Sequence, residues 1–194
     1  MIKLAATILL LIISTSSFAE HRNLLNHCVP NKAYLNDYEP EIFSTTNNLL
    51  RKTGHKSFFC GQKIYLKLEI VDKKCVPISD AKIYLWQAGC DGKYPYTPLR
   101  NKVKKELINL KAGSSFVGSG IATSNNLGLA NFVTIYPTSV EKENPYINIR
   151  IEHKDFGIFQ TKLYVKKDDI IEADYYDIVE MRITTPWENA HRRY

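Results

Sequence analysis

The segment that begins at residue 62 alternates apolar and polar side chains, with apolar residues at Ile64, Leu66, Leu68 and Ile70. Successive side chains of a β-strand point to opposite faces, so a period of two predicts a strand with one buried face. A chain that carries several such segments has to bury each of these faces against a second layer. This pattern constrains the fold more than any other feature of the sequence.

Comparable segments recur along the chain and predict six or more short strands. They cover residues 62–70, 80–88, 116–123, 129–135, 146–153 and 159–165. Glycine and proline residues lie at most of the joints between them, and no convincing amphipathic helix intervenes. The sequence therefore predicts an all-β fold, an antiparallel β-sandwich.

The 194 residues are enough for one domain, and no internal repeat is visible. We expect a sandwich over residues 58–168, an irregular N-terminal arm over 20–57 and a C-terminal extension over 169–194. The extension carries apolar Ile170, Ile178 and Val179, which could add a last strand. Residues 97–114 are expected to form a loop, or a loop with a short helix at 102–110, over a cleft.

The first 19 residues have the three-part order of a secretory signal peptide. Lys3 gives a positive start, residues 4–13 are apolar, and a small-x-small ending predicts cleavage after Ala19. We therefore expect a periplasmic or secreted protein that is not transmembrane after cleavage. Its basic residues, 26 against 20 acidic ones in the whole chain, are scattered rather than clustered. No nucleic-acid partner is expected, because the chain offers neither a basic groove nor interleaved aromatic residues.

Four cysteines, Cys28, Cys60, Cys75 and Cys90, lie in the predicted mature chain, where export favours disulfides. Four cysteines allow three pairings, and spacing alone does not choose among them. Cys75 and Cys90 flank a predicted strand, which would hold them more than about 20 Å apart. If the two strands next to Cys60 and Cys90 form a hairpin, these two cysteines lie at the same end. We therefore favour the pairs Cys60–Cys90 and Cys28–Cys75.

Several stretches, taken in order, resemble the intradiol ring-cleavage dioxygenases, the family of catechol and protocatechuate 3,4-dioxygenases. The stretches are VDKKCVPISDAKIYLWQA at 71–88, GKY at 92–94, FVGSG at 116–120, FVTIYP at 132–137 and TKLYV at 161–165. The resemblance covers about residues 62–166. It implies an antiparallel β-sandwich of the intradiol dioxygenase core type, in agreement with the periodicity of the strands.

The resemblance also implies a ferric ion held by two tyrosinates and two histidines, at which a bound catechol reacts with dioxygen. Only one of the four ligand positions keeps the family residue, and that residue is Tyr94. Val140 stands at the second tyrosine position, and Tyr146 and Asn148 stand at the two histidine positions. We therefore expect no cofactor, with Fe(III) implied only if the chain is an active enzyme.

Two further family positions have changed, an arginine to Glu143 and a glutamine to Lys162. Strand parity places Tyr146, Asn148 and Arg150 on one face with Glu152, and His153 on the other face with three isoleucines. Arg150 and Lys162 would favour an anion over a second cation near the altered site. An internally paired salt-bridge patch without a ligand is the alternative, in which Lys162 neutralises Glu143 or Glu152.

Three functions remain open at this point. The first is an exported intradiol-dioxygenase-like protein with a degenerate iron site that acts by binding a small aromatic or anionic ligand. The second is a divergent but active Fe(III) ring-cleavage dioxygenase, and the third is a structural or adhesion β-sandwich module. The candidate ligand-binding residues are Trp86, Tyr94, Tyr146, Asn148, Arg150 and Lys162.

Overall fold

A computed structural model describes residues 27–35, 38–51, 54, 56, 59–111 and 114–188. The predicted signal peptide lies outside these residues. The strands are β1 Lys63–Val71, β2 Lys82–Trp86, β3 Ser119–Thr123, β4 Leu129–Ile135, β5 Tyr146–His153, β6 Gly157–Tyr164, β7 Ile170–Ile171 and β8 Asp177–Thr184. Among the described residues, no helix is long and apolar enough to cross a membrane.

The eight strands form two four-stranded sheets, in the orders β4-β1-β8-β7 and β3-β2-β5-β6. All pairings are antiparallel except that of β1 with β8, which run parallel. The predicted all-β sandwich is confirmed. β8 falls within the predicted C-terminal extension, yet it lies in the interior of the first sheet, so this part of the chain is integral to the sandwich.

Between the two sheets lies an apolar interior formed by the alternating residues of the strands. β1 contributes Ile64, Leu66, Leu68 and Ile70, which are all fully buried. The isoleucines of β5 and Phe132 of β4 belong to the same cluster. Apolar burial is proportional to area and needs no specific partner, so the period of two alone is enough to orient these strands.

Both favoured disulfides are present, with Cα–Cα distances of 5.2 Å for Cys28–Cys75 and 5.9 Å for Cys60–Cys90. The hairpin argument for Cys60–Cys90 is wrong, because β1 and β2 belong to different sheets. The bond instead joins the two sheets at one end of the sandwich. The Cys28–Cys75 bond ties the beginning of the described arm to the turn that follows β1.

The arm crosses the outer face of the second sheet from one edge strand to the other. The Tyr34 N–H donates to the carbonyl of Gln160 on β6, and the Ile121 N–H of β3 donates to the carbonyl of Thr46. A Cβ at Gly120 of β3 would lie 2.6 Å from the Thr46 carbonyl oxygen, so this close approach requires glycine. The second sheet is therefore covered on both faces.

The described part of the polar segment at 97–114 packs against this covered face through Leu107 and Ile108. Its expected helix at 102–110 is only a single 3-10 turn, Lys105–Leu107. The main chain of Tyr94 is hydrogen-bonded to this segment at both ends. The Tyr94 N–H donates to the Leu107 carbonyl, and the Tyr94 carbonyl accepts from the Asn109 N–H. The segment thereby fixes the position of Tyr94 beside the sheet.

Candidate functional site

Side chains from β2, β5 and two loops form a second buried cluster on the outer face of the second sheet, beneath the arm. We call this cluster the outer aromatic layer. Its buried members are Tyr84, Trp86, Ala88, Tyr94, Val140 and Tyr146. The layer is separate from the apolar interior on the other face of the same sheet.

Strand parity brings the candidate residues of β5 to this layer. Tyr146 and Asn148 are buried and Arg150 is half-buried on the outer face, whereas the isoleucines between them face the interior. The register pairs Asn148 with Trp86 of β2 on one side and with Lys162 of β6 on the other. Three neighbouring strands therefore place Trp86, Asn148 and Lys162 in one row across the sheet.

The four residues that the sequence resemblance matches to iron-ligand positions all lie at the outer aromatic layer. The hydroxyl oxygens of Tyr94 and Tyr146 are 3.2 Å apart and hydrogen-bonded to each other. Val140 packs in the same cluster, and the Asn148 amide donates to the carbonyl of Trp86 at 3.2 Å. The altered positions still converge in space, although their chemistry differs from that of the family.

The two phenols are held in their neutral form. Burial raises the pKa of Tyr94 far above its usual value, and the neighbouring Tyr146 raises the pKa further. Burial also raises the pKa of Tyr146, while its hydrogen bond with Tyr94 and the charge of Lys162 lower it in part.

These donors do not fit the ferric ion of the family. The position offers two neutral phenols and one amide, and the ammonium of Lys162 lies 4.2 Å from the centre of the Tyr146 ring. His153 lies elsewhere, against Phe156 and Trp187. Among the described residues, no group of three His, Cys, Asp or Glu side chains is placed to hold a metal. A hard trivalent cation needs anionic oxygen or imidazole ligands, which this arrangement does not present.

Arg150 is enclosed by the chain's own side chains. Its guanidinium forms an ion pair with the buried Glu39 of the arm, and its Nε lies 3.2 Å from a carboxylate oxygen of Glu152. The guanidinium carbon lies 4.1 Å from the centre of the Tyr84 ring and 5.4 Å from that of Phe43. An external anion would therefore have to compete with Glu39 for this cation.

Lys162 is paired as well. Its Nζ lies 2.7 Å from a carboxylate oxygen of Glu143. Lys162 and Glu143, the two residues that the resemblance matches to a family glutamine and a family arginine, thus neutralise each other. This contact matches the salt-bridge alternative weighed from the sequence, with Glu143 as the partner.

Trp86 is fully buried at the centre of the layer. Phe43 of the arm packs against it edge to face, with 5.7 Å between ring centres. Its indole Nε1 has no hydrogen-bond partner within the part of the chain that the structure describes. Buried indole N–H groups usually have a partner, so this donor is available to an acceptor that enters the layer.

Sequence reasoning missed the contribution of the arm, which supplies Tyr38, Glu39 and Phe43 to the site. The Tyr38 ring stacks on Tyr94, with 4.7 Å between centres and 8° between planes. The available signal was the presence of aromatic and acidic residues close together at 38–43, in an otherwise polar, irregular segment. Their partners are more than 40 residues away, so local patterns could not reveal the contacts.

A cleft of about 300 Å³ lies elsewhere, at the end of the sandwich beside the Cys60–Cys90 bond. Phe116, Ile135 and Pro95 form its apolar wall, and Asp91 and Asn109 lie at its polar side. None of the candidate ligand-binding residues lines this cleft. The outer aromatic layer and the cleft are therefore two separate features of the molecule.

Comparison of the sequence with known proteins finds close relatives in Rickettsia. A protein of Rickettsia conorii (strain Malish 7) named "Putative dioxygenase" is 44% identical over 167 residues, which cover 86% of this chain and 80% of the relative. A protein of Rickettsia bellii (strain RML369-C) with the same name is 47% identical over 156 residues, 80% of this chain and 75% of the relative. No protein-family model matches the chain.

Solved structures with a similar fold are dioxygenases. The intradiol ring-cleavage dioxygenase from Tetranychus urticae superposes with a TM-score of 0.59 at 16% identity, covering 84% of this chain and 98% of that protein. The 3-chlorocatechol 1,2-dioxygenase from Rhodococcus opacus 1CP has a TM-score of 0.51 at 17% identity, covering 78% of this chain and 68% of that protein. At these identities the similarity shows a shared fold and nothing finer.

Proposed function

Because the chain belongs to a divergent intradiol-dioxygenase-like family, we propose that it is an exported member that acts by binding and not by iron-dependent ring cleavage. One observation carries the proposal: the phenols of Tyr94 and Tyr146, at two positions that the sequence resemblance matches to iron ligands, are hydrogen-bonded to each other at 3.2 Å. The binding surface is the outer aromatic layer, with Arg150 and Lys162 at its edge.

The chemistry of the surrounding residues supports this proposal. Ring cleavage in the family relies on tyrosinates and histidines, whereas the side chains here are neutral phenols, an amide and the isopropyl group of Val140. The Lys162 ammonium lies 4.2 Å from the centre of the Tyr146 ring and is paired with Glu143. Aromatic faces with hydroxyl tips, next to paired charges, are typical of sites that bind organic groups.

Export is supported by the two disulfides, which leave no free cysteine among the described residues. Disulfides persist in the periplasm and outside the cell and are rare in reducing compartments. The predicted signal peptide at residues 1–19 points to the same destination. We propose a periplasmic or secreted location for the mature chain.

Metal analysis of the mature protein tests the binding proposal. We expect no stoichiometric iron after purification in iron-replete medium, and no visible absorption band of the tyrosinate-to-iron type. The matched control is the triple variant Val140→Tyr, Tyr146→His, Asn148→His, which restores the family's ligand set and should take up iron and colour. A coloured wild-type protein that contains one iron per chain and consumes catechol would overturn the proposal.

A second candidate, an active dioxygenase with an altered ligand set, is favoured by one observation. The oxygens of Tyr94 and Tyr146 are close enough for a single ion to contact both. The same metal analysis separates the two candidates, because this one requires iron in the wild-type protein and loss of that iron in Tyr94→Phe.

A further inference from the structure

The arm segment from Tyr38 to Phe43, which we call the strap, lies over the outer aromatic layer. The chain is bonded to β6 before the strap, through Tyr34, and to β3 after it, through Thr46. The strap therefore spans the two middle strands, β2 and β5, whose outer faces carry the layer. Whatever binds to this face must share it with the strap or replace it.

The strap makes three side-chain contacts of the kind that a bound ligand makes. Tyr38 stacks flat on Tyr94. Glu39, which is only 5% exposed, forms an ion pair with Arg150. Phe43 packs edge to face against Tyr84 and Trp86. An aromatic ring, a carboxylate and a second ring thus fill three adjacent positions on the face.

The main chain of the strap also forms hydrogen bonds with residues 97–99. The Glu41 N–H donates to the Thr97 carbonyl at 2.9 Å, and the Leu99 N–H donates to the Glu39 carbonyl at 2.7 Å. A bridge between Pro40 and Pro98 lies between these two bonds. Pairing of an extended segment with an exposed main chain, together with pockets for alternate side chains, is a general mode of peptide recognition.

We propose that the face under the strap is a peptide-binding site, and that the strap is its occupant in cis. The ligand class is an extended segment in which an aromatic residue is followed directly by an acidic one. The aromatic ring stacks on Tyr94, the carboxylate pairs with Arg150, and residues 97–99 pair with the ligand's main chain. This inference rests on the proposed binding function and names its ligand.

The middle of the strap contributes little to its attachment. Glu41 is exposed and Ile42 is 81% exposed, so neither contributes apolar burial. The Glu39–Arg150 pair gains attraction but loses hydration, and these two effects largely offset each other. Because the strap is tethered, it competes for the face at an effective concentration in the millimolar range. A weak external peptide therefore does not displace it unless the strap's own contacts are weakened.

The test uses a capped peptide with the sequence of residues 38–43 as the probe. Binding to the mature wild-type protein is compared with binding to the double variant Tyr38→Ala, Glu39→Gln by calorimetry. We expect the double variant to bind at least about 10-fold more tightly, a difference of about 1.4 kcal/mol. The matched control is Glu41→Gln, an exposed strap residue, which should bind the peptide as weakly as the wild type does.

Two further measurements decide between a ligand-like and a merely structural strap. A probe peptide with Gln in place of the glutamate that corresponds to Glu39 should bind the double variant about 10-fold more weakly than the original peptide does. The reason is that Arg150 then has no ionic partner. In the wild-type protein, hydrogen exchange of the Glu41 and Leu99 amides should occur by local opening, with little denaturant dependence, unlike that of Leu66. This exchange measurement decides the question if the double variant fails to fold.

The proposal is overturned by any of three results. The first is a folded double variant that binds the peptide no better than the wild type. The second is binding of free 4-hydroxybenzoate but not of the peptide, which would make the site one for small aromatic acids. The third is exchange of the Glu41 and Leu99 amides only on global unfolding. None of these results depends on iron, so failure here is distinguishable from failure of the proposed function.

Discussion

The inner and outer faces of the second sheet carry different kinds of side chain. The inner face of β2 and β5 is aliphatic and fully buried, for example at Leu85 and Ile149. The outer face of the same strands carries aromatic, amide and guanidinium groups, and the guanidinium of Arg150 pairs with Glu39 of the arm. The aliphatic face needs only to be covered, whereas each polar group on the outer face needs a specific partner.

This difference means that the two regions should respond differently to substitution. Damage to the interior should appear as a loss of stability that scales with the volume removed. Damage to the outer aromatic layer should depend on whether a buried polar group loses its partner. The following predictions test this distinction, starting with the largest expected effect.

Truncation in the interior should cause the largest loss. Phe132 of β4 is fully buried between the sheets, so Phe132→Ala should lower the free energy of unfolding by about 3–5 kcal/mol. Tyr175→Ala removes an aromatic side chain that is 86% exposed and should change stability by less than about 0.5 kcal/mol. Urea denaturation measures both, and similar losses for the two variants would refute the assignment of the interior.

Removal of the Cys60–Cys90 disulfide, which joins the two sheets, should cause the next largest loss of stability. Cys60 and Cys90 are 30 residues apart, so Cys60→Ser with Cys90→Ser should cost about 3–4 kcal/mol by the chain-entropy argument. Thermal unfolding of the oxidised proteins measures the loss. Non-reducing peptide mapping should link fragments that contain these two residues, and a different linkage would contradict the structure.

Removal of one partner from the buried ion pair should cost almost as much. Arg150→Met leaves the carboxylate of Glu39 buried without its cation, and we expect a loss of about 3 kcal/mol. The matched control is Arg182→Met, because Arg182 also pairs with a glutamate, Glu69, but is exposed. Loss of this exposed pair should lower the free energy of unfolding by less than about 1 kcal/mol. Equal losses in the two variants would remove the distinction between the faces.

Removal of the Tyr94 hydroxyl should have a small effect at neutral pH and a larger one in alkali. Tyr94→Phe removes the hydroxyl that is hydrogen-bonded to Tyr146 and should cost about 1 kcal/mol at pH 7. The folded protein keeps the Tyr94 proton above pH 10, where the unfolded chain loses it, so this residue makes stability fall as pH rises.

The phenylalanine variant should therefore show a shallower loss of stability between about pH 10 and 12, by up to about 1.4 kcal/mol per pH unit. Denaturation curves recorded over this range measure the slope, and the exposed Tyr175→Phe serves as the control. Identical slopes in the wild type and in Tyr94→Phe would show that the phenol is not held neutral by the fold.

Much of the sandwich could be predicted because its signal is local. The alternation at residues 64–70 fixed the buried face of β1, and the predicted bounds of β4 and β5 agree with the observed ones. The same parity placed Tyr146, Asn148 and Arg150 on one face. A strand that pairs at long range, such as β8 with β1, carries no mark of its partner, so neither its parallel direction nor its interior position could be predicted.

The sequence by itself determined the all-β class and the faces of the strands. Only the tertiary structure decided that Tyr94 and Tyr146 bond to each other, that Lys162 pairs with Glu143, and that the strap covers the layer. The physical reason is range: burial of an alternating face depends on neighbouring residues, whereas satisfaction of a buried polar group depends on a partner that the chain brings from far away.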